Sequence, residues 1–484
     1  MRRVAVHKFG GTSVANAARI GEVVAIIASL TEAPSQPVVV VSAMAGVTDA
    51  LIHGAQRAVA GDTDEPPSLL ADLEARHRIA ADRLLSDDER ERFESRLHEW
   101  LEGLRRLYDS LAVLGELTPR GRDAVTGHGE RISAVLLAAA LRTQGIPADA
   151  MDATKLIVTD DRFGDASPRM DLTSGRIRRR VVPRVETGTI PVITGYVAAT
   201  EEGVPTTLGR SGSDRTAAIV AAGLSAEEVW IWTDVHGILT ADPNLVAGAR
   251  TLAELSYDEA VNLARFGAEV LHPRTIRPII ARRIPLRIVN SFDPEHPGTR
   301  VVAEPRSDRD VPPAIISAVD MRLLVVGDGE QGDRLLSASK VLARLAAGGV
   351  DVRMLSLALS DSSLGLVIRE QEAEHVRSIL SRSTASPDGA DVLQSEEAVA
   401  IVSVVGSAGG GEPGVASRAF GALGRHAVRI IAVIQTTDGD GVSFCIPACR
   451  VADTVQFLHR ALGLDEAIPS GRDSGRPIKQ GASA

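Results

Sequence analysis

Near the N-terminus a strand-like run, Val4-Ala5-Val6, leads through Lys8 into a glycine pair, Gly10-Gly11, and a hydroxyl pair, Thr12-Ser13; a helix-like run opens at Ala15. Strand, glycine turn and helix form the unit from which open α/β sheets are assembled. The same unit makes an anion site, because glycines let the backbone approach a phosphate and a helix start offers unpaired N–H groups. Lys8 at the strand end adds a point charge suited to phosphoryl oxygens. A plain tight turn is the competing reading of this segment.

Two further segments have the same character. Thr206-Thr207-Leu208-Gly209-Arg210-Ser211-Gly212-Ser213-Asp214 is rich in glycine and hydroxyl groups and leads into an apolar helix at 217–222. Val229-Trp230-Ile231-Trp232-Thr233-Asp234 is a strand ending in polar residues, followed by a turn that carries Asp242-Pro243. In open α/β sheets ligands collect at the carboxyl ends of strands, so three such ends define one crevice. Strand-like runs at 37–41, 189–193, 229–232 and 284–289 alternate with helical stretches from 3 to about 303. That alternation predicts a largely parallel sheet sandwiched by helices. Residues 65–118 are charge-rich, with apolar residues spaced by three and four, and predict an amphipathic helix packed on a neighbour.

In this order, the motifs resemble those of the aspartate kinases of the amino-acid kinase family. Val39-Val40-Val41-Ser42-Ala43-Met44-Ala45-Gly46-Val47-Thr48-Asp49, Gly127-His128-Gly129-Glu130-Arg131, Thr159-Asp160-Asp161-Arg162-Phe163-Gly164 and Phe266-Gly267-Ala268-Glu269 add to the likeness, which runs from about 3 to about 465.

Composition agrees with this reading. At 484 residues the chain exceeds one ordinary core, and 44% hydrophobic with 24% charged residues is usual for a globular protein. A net charge of −10 argues against general nucleic-acid binding. No apolar run has the length of a membrane span, and the N-terminus enters a strand without a signal-like apolar segment. The two cysteines, Cys445 and Cys449, are too few for a disulfide framework and read as reduced thiols. A cytoplasmic enzyme is expected.

After a polar linker at 307–313 the pattern changes to strand, helix, strand, strand, helix, and then repeats. The repeat resembles the paired ACT modules of aspartate kinases, ferredoxin-like α+β units that bind effector amino acids. The expected organisation is a kinase domain at 1–305, ACT units at 314–384 and 396–465 joined through a loop near 386–391, and a flexible polar tail at 466–484.

The resemblance implies roles for individual residues. Lys8 would bridge the acceptor carboxylate and the γ-phosphate of ATP, with Asp214 ordering Lys8 or the shell of Mg2+, an ion held mainly by the nucleotide phosphates. Gly10, Gly11, Thr12 and Ser13 would contact phosphate oxygens. Arg210 would hold the α-carboxylate of L-aspartate by its fork geometry, Glu130 its ammonium, and Ser42, Thr48 and Ser213 would orient the rest. No base is needed, because the attacking carboxylate is already ionised at neutral pH.

The nucleotide would lie beside Thr233, Asp234 and Asp242. There the chain departs from the family pattern in three places: Leu239 replaces a common aromatic, Asn244 a basic residue, and Glu269 a frequent lysine. Arg215, where a tyrosine or threonine is more usual, is a candidate compensator at the nucleotide. On that reading Arg215→Ala raises the ATP KM well beyond the aspartate KM.

In the second ACT unit Gln435 resembles the effector contact of threonine-sensitive relatives, whereas 355–362 in the first has no glutamine. Threonine is therefore the expected effector rather than lysine. A homodimer or dimer of dimers through the ACT units is expected. Two other functions fit less of the sequence: a same-fold kinase for a modified aspartate, and a catalytically silent effector-sensing subunit. A bifunctional chain with homoserine dehydrogenase fails on length.

Overall fold

The computed structural model describes residues 2–265, 273–305, 312–328, 334–358, 363–381, 391–406, 414–435 and 441–465. The chain divides into two compact units, one of Met1–Leu239 with Thr251–Val311, the other of Thr240–Arg250 with Pro312–Ala484. None of the described helices is long and apolar enough to cross a membrane.

The first unit runs β1 (Val4–Phe9), α1 (Ala17–Leu30), β2 (Gln36–Val41), α2 (Val47–Val59), α3 (Glu65–Leu84), α4 (Asp87–Leu114), α5 (Pro119–Thr126) and α6 (His128–Thr143). It continues with β3 (Ala148–Met151), α7 (Met170–Glu186), β4 (Ile190–Thr194), β5 (Val197–Ala199), β6 (Pro205–Thr207), α8 (Gly212–Leu224) and β7 (Glu228–Thr233). It closes with β8 (Glu254–Ser256), α9 (Tyr257–Arg265), α10 (Pro273–Ile280), β9 (Leu286–Asn290) and β10 (Thr299–Val302).

Eight strands form one sheet in the order β3-β4-β2-β1-β7-β9-β10-β8, and β5 pairs with β6 as a separate hairpin. The pairings from β3 to β9 are parallel; only β9 with β10 is antiparallel. The unbroken apolar runs follow from this: Val38–Val41 of β2 are at most 1% exposed, as a parallel strand covered on both faces requires. Phe9, Val39, Val41 and Trp232 share a core with apolar residues of α1 to α4 and α6. The two-residue period of β1 puts His7 with Phe9, both against Trp232, and turns Lys8 toward α8 on the other face.

The 65–118 region is two helices rather than one. They break at Leu85, and Ser86 precedes the acidic first turn of α4. Helix α1 opens two residues later than the sequence suggests, because Asn16 caps it by accepting from the Arg19 N–H at 3.1 Å.

The second unit holds β11 (Ala314–Asp328), α11 (Arg334–Ala347), β12 (Met354–Ala358), β13 (Ser363–Arg369), α12 (Ala373–Ser381), β14 (Asp391–Val405), α13 (Val415–Arg425), β15 (Ala432–Gln435), β16 (Gly441–Pro447) and α14 (Val451–Ala461). The repeated strand–helix–strand–strand–helix pattern joins into one antiparallel sheet, ordered β12-β13-β11-β14-β16-β15. Cys445 is buried in β16, which pushes its thiol up to about 11, and Cys449 is exposed; both are free. Most of the 386–391 loop and the tail from 466 fall outside the described residues, as do 307–311 of the linker and Glu269.

Candidate active site

The carboxyl ends of β1, β2 and β4 converge on one cavity of about 340 Å³. Lys8 enters it from β1, Ser42 and Ala43 from the turn after β2, Thr48 and Asp49 from the first turn of α2, and Glu130 from the first turn of α6. Tyr196 follows β4, and Gly209 with residues 211–214 brings in the start of α8.

Lys8 Nζ lies 2.6 Å from Asp214 Oδ1, both side chains little exposed. That oxygen has no aligned hydrogen-bond donor, so the contact is one of charge. Asp214 is not the helix cap: it is the third residue of α8, behind Ser211 at the cap position. The pair is therefore poised to exchange partners. An incoming anion can draw the ammonium, and a cation can draw the carboxylate.

Glu130 is 3% exposed, and its Oε2 has no partner. Burial pushes its carboxyl up to about 7, and an Ala43 backbone hydrogen bond offsets this only in part. Close helix approach makes that burial: a Cβ on Gly129 would stand 2.7 Å from Ala43 Cβ and 3.1 Å from Val47 Cγ1. An unpaired, buried carboxylate facing a cavity is a seat for a cationic group that brings its own donors.

Tyr196 was not among the residues singled out from the sequence. It adopts φ 64°, unusual for a side-chain-bearing residue, and burial raises its hydroxyl pKa. Its position after the C-terminal end of a central strand was the available signal. Asp123 was missed too: it accepts from Gly164 N, Thr207 N and Thr207 Oγ1 at 2.7–3.0 Å, tying α5 to the 164 turn and β6.

Several expected site residues lie elsewhere. Ser13 is turned inward, with its hydroxyl 2.8 Å from Ser291 Oγ, so it ties the glycine turn to the end of β9. Gly10 N donates to Trp232 O at 3.1 Å, and Thr12 is exposed; only Gly11 of that turn lines the cavity. Arg210 is exposed and outside the lining, although Gly209 and Ser211 belong to it. Thr233 donates to Asp234 Oδ1 at 3.1 Å, and neither lines the cavity. Leu239 is half-buried and bridged to Thr251.

Asp242 and Asn244 belong to the second unit. Asn244 N and Nδ2 donate to Asp242 Oδ1 at 2.8 and 3.1 Å, while Ala241 and Val246 join the apolar core of α13 and α14. Gln435 ends the edge strand β15, exposed.

Arg215, the expected compensator at the nucleotide, is buried against the turn that precedes α8. Its guanidinium donates to Leu208 O at 3.0 Å, lies 3.7 Å from Asp165 Oδ1 and is 8% exposed.

The sequence profile of the amino acid kinase family matches residues 3–290, more than half of the chain. The chain belongs to the amino acid kinase family. An ACT-domain profile matches 402–462, within the second unit. Together they give the fold class: an amino acid kinase sheet with helices, followed by ACT architecture.

Aspartokinase 1, chloroplastic, of Arabidopsis thaliana is 30% identical over 469 residues, covering 94% of this chain and 79% of that protein. A Zea mays bifunctional aspartokinase/homoserine dehydrogenase 1 is 32% identical over 94% of this chain and 50% of its own length. This chain thus spans about half of such bifunctional relatives. The structure of E. coli aspartokinase III in complex with aspartate and ADP superposes with a TM-score of 0.78 at 28% identity, covering 95% of this chain and 100% of that one. The same enzyme in complex with lysine and aspartate gives 0.77.

Proposed function

We propose that this amino acid kinase phosphorylates the β-carboxylate of L-aspartate with ATP, giving 4-phospho-L-aspartate and ADP. The observation that carries the reading is one small cavity holding both the Lys8–Asp214 pair and the partnerless carboxylate oxygen of Glu130. Glu130 takes the aspartate ammonium, while Ser42, Thr48 and Ser213 orient the rest and Arg210 swings in to the α-carboxylate. A β-carboxylate oxygen attacks the γ-phosphorus, and the bond from that phosphorus to the bridging oxygen of ADP breaks. Lys8 leaves Asp214 and neutralises charge between the two anions, the main task in phosphoryl transfer.

Among the described residues no group of three or more His, Cys, Asp or Glu side chains could hold a metal ion. Mg2+ would take its ligands chiefly from the nucleotide phosphates and water, with Asp214 the carboxylate that could join them. Gly10, Gly11, Thr12 and Ser13 are assigned to the phosphates, partly through backbone N–H groups. Thr233, Asp234, Leu239, Asp242, Asn244 and Glu269 are assigned to the rest of the nucleotide.

We take the second unit as two ACT modules, at 314–384 and 396–465, with threonine rather than lysine as effector through Gln435 and with pairing between copies into a homodimer or dimer of dimers.

Hydroxylamine trapping tests the reaction, because an acyl phosphate yields a hydroxamate. Hydroxamate is expected with L-aspartate and ATP, and none with succinate, which lacks the ammonium, or with asparagine, which lacks the acceptor. Equal product from succinate, or none from aspartate, would reject the reading.

A further inference from the structure

The 208–211 turn, whose neighbours line the cavity, is built from unfavourable backbone. Gly209 has φ 74° and Ser211 φ 53°, both in the left-handed region, which a serine enters only under restraint. One residue supplies restraint at both ends. The Arg215 backbone N–H donates to Ser211 O at 3.0 Å, and its guanidinium reaches back to donate to Leu208 O, also at 3.0 Å. The second bond is shielded from water. From the other side Asp165 closes on the turn: a Cβ on Gly209 would stand 2.8 Å from Asp165 Oδ1, and Asp165 Oδ2 pairs with Arg274.

We propose that Arg215 is a positioning residue: by clasping the 208–211 turn it places the start of α8 and sets the affinity for aspartate. The proposal rests on the cavity being the aspartate site. Arg215 itself is not in the cavity lining, whereas Gly209, Ser211, Gly212, Ser213 and Asp214 are. A shift of about 1 Å in such a wall is enough to disrupt substrate positioning. The clasp acts on the acceptor, so its loss separates the two substrates instead of weakening both.

The test compares Arg215→Met, which keeps length without donors, with Arg215→Lys, which restores one donor. In Arg215→Met the aspartate KM is expected to rise about tenfold or more with the ATP KM within about threefold, and Arg215→Lys to fall between. Arg210 is exposed on the turn, so trypsin cleavage after it, in the absence of substrates, should quicken about fivefold in Arg215→Met and less in Arg215→Lys. Unchanged cleavage, an unchanged aspartate KM, or an ATP KM that rises equally would overturn the proposal. If Arg215→Met does not fold, Arg215→Lys carries both readouts, with a rise of about threefold expected in each and no change in either overturning it. Proteolysis needs no turnover. A wild type inactive toward aspartate would therefore reject the reaction, while the cleavage rates would still decide whether the clasp exists.

Discussion

Lys8→Ala is expected to lower kcat about 10³-fold while the aspartate and ATP KM values move less than about fivefold. The reason lies in when the interaction is strongest. In the free enzyme the ammonium is occupied by Asp214 at 2.6 Å, so binding either substrate gains little from it. Negative charge shared between the β-carboxylate and the transferring phosphoryl group is the state that draws it away. An interaction stronger in the transition state than in the ground state appears in kcat, not in KM. Methylamine at millimolar concentration should restore part of the rate, since the deletion leaves room for it beside Asp214. ADP release measures both; a loss below tenfold would remove Lys8 from the mechanism.

Glu130→Gln is expected to raise the aspartate KM about 10²-fold with little change in kcat, and wild-type pH dependence should carry the same signature. The Glu130 carboxyl is pushed up to about 7 by burial, so in the free enzyme it is largely neutral below that pH. Only the ionised form pairs with the ammonium of aspartate. The aspartate KM should fall as pH rises from about 6 to about 8, and this dependence should vanish in Glu130→Gln.

Stability moves the other way. A carboxyl whose folded-state pKa is raised binds its proton more tightly folded than unfolded, so it lowers stability as pH rises from about 4.5 to about 7. Above pH 7 the full penalty is present, about 3 kcal/mol from the shift, and glutamine removes much of it. Glu130→Gln should therefore raise the urea midpoint at pH 8 more than at pH 5. A higher midpoint paired with a weaker substrate complex marks a group strained for binding; a lower midpoint at pH 8 would contradict the burial argument.

How far the sequence discloses this site depends on the range over which each feature is determined. Lys8 is legible because one strand and one glycine turn place it, and the period of β1 alone decides its face. Glu130 is different: a carboxylate at a helix start is ordinarily solvated, and it is burial, made by the close approach of Gly129 to Ala43 and Val47, that raises its pKa. Its role came from resemblance, not from local pattern.

The directions of the Ser13 and Arg215 side chains are hidden from the sequence for a common reason. Their partners, Ser291 and Leu208 with Asp165, are fixed by the packing of other elements, and nothing near them in sequence reports which way the side chains turn. Asp242 and Asn244 sit in an eleven-residue excursion in which Ala241 and Val246 join the ACT core and Leu245 and Ala249 pack against it. A segment that short has no period to read. Tyr196 had a positional signal, the end of β4, but the left-handed backbone angle that sets its direction is not encoded in composition. The alternation of strands and helices, and the repeat after the linker, were legible because each depends on many residues at once.

A crystal structure with L-aspartate and ADP tests the central claim most directly. The account predicts aspartate within the Lys8–Glu130 cavity, its ammonium about 3 Å from Glu130 Oε2 and its β-carboxylate facing Lys8 Nζ. Aspartate bound elsewhere, or reversed with its β-carboxylate away from Lys8, would contradict it.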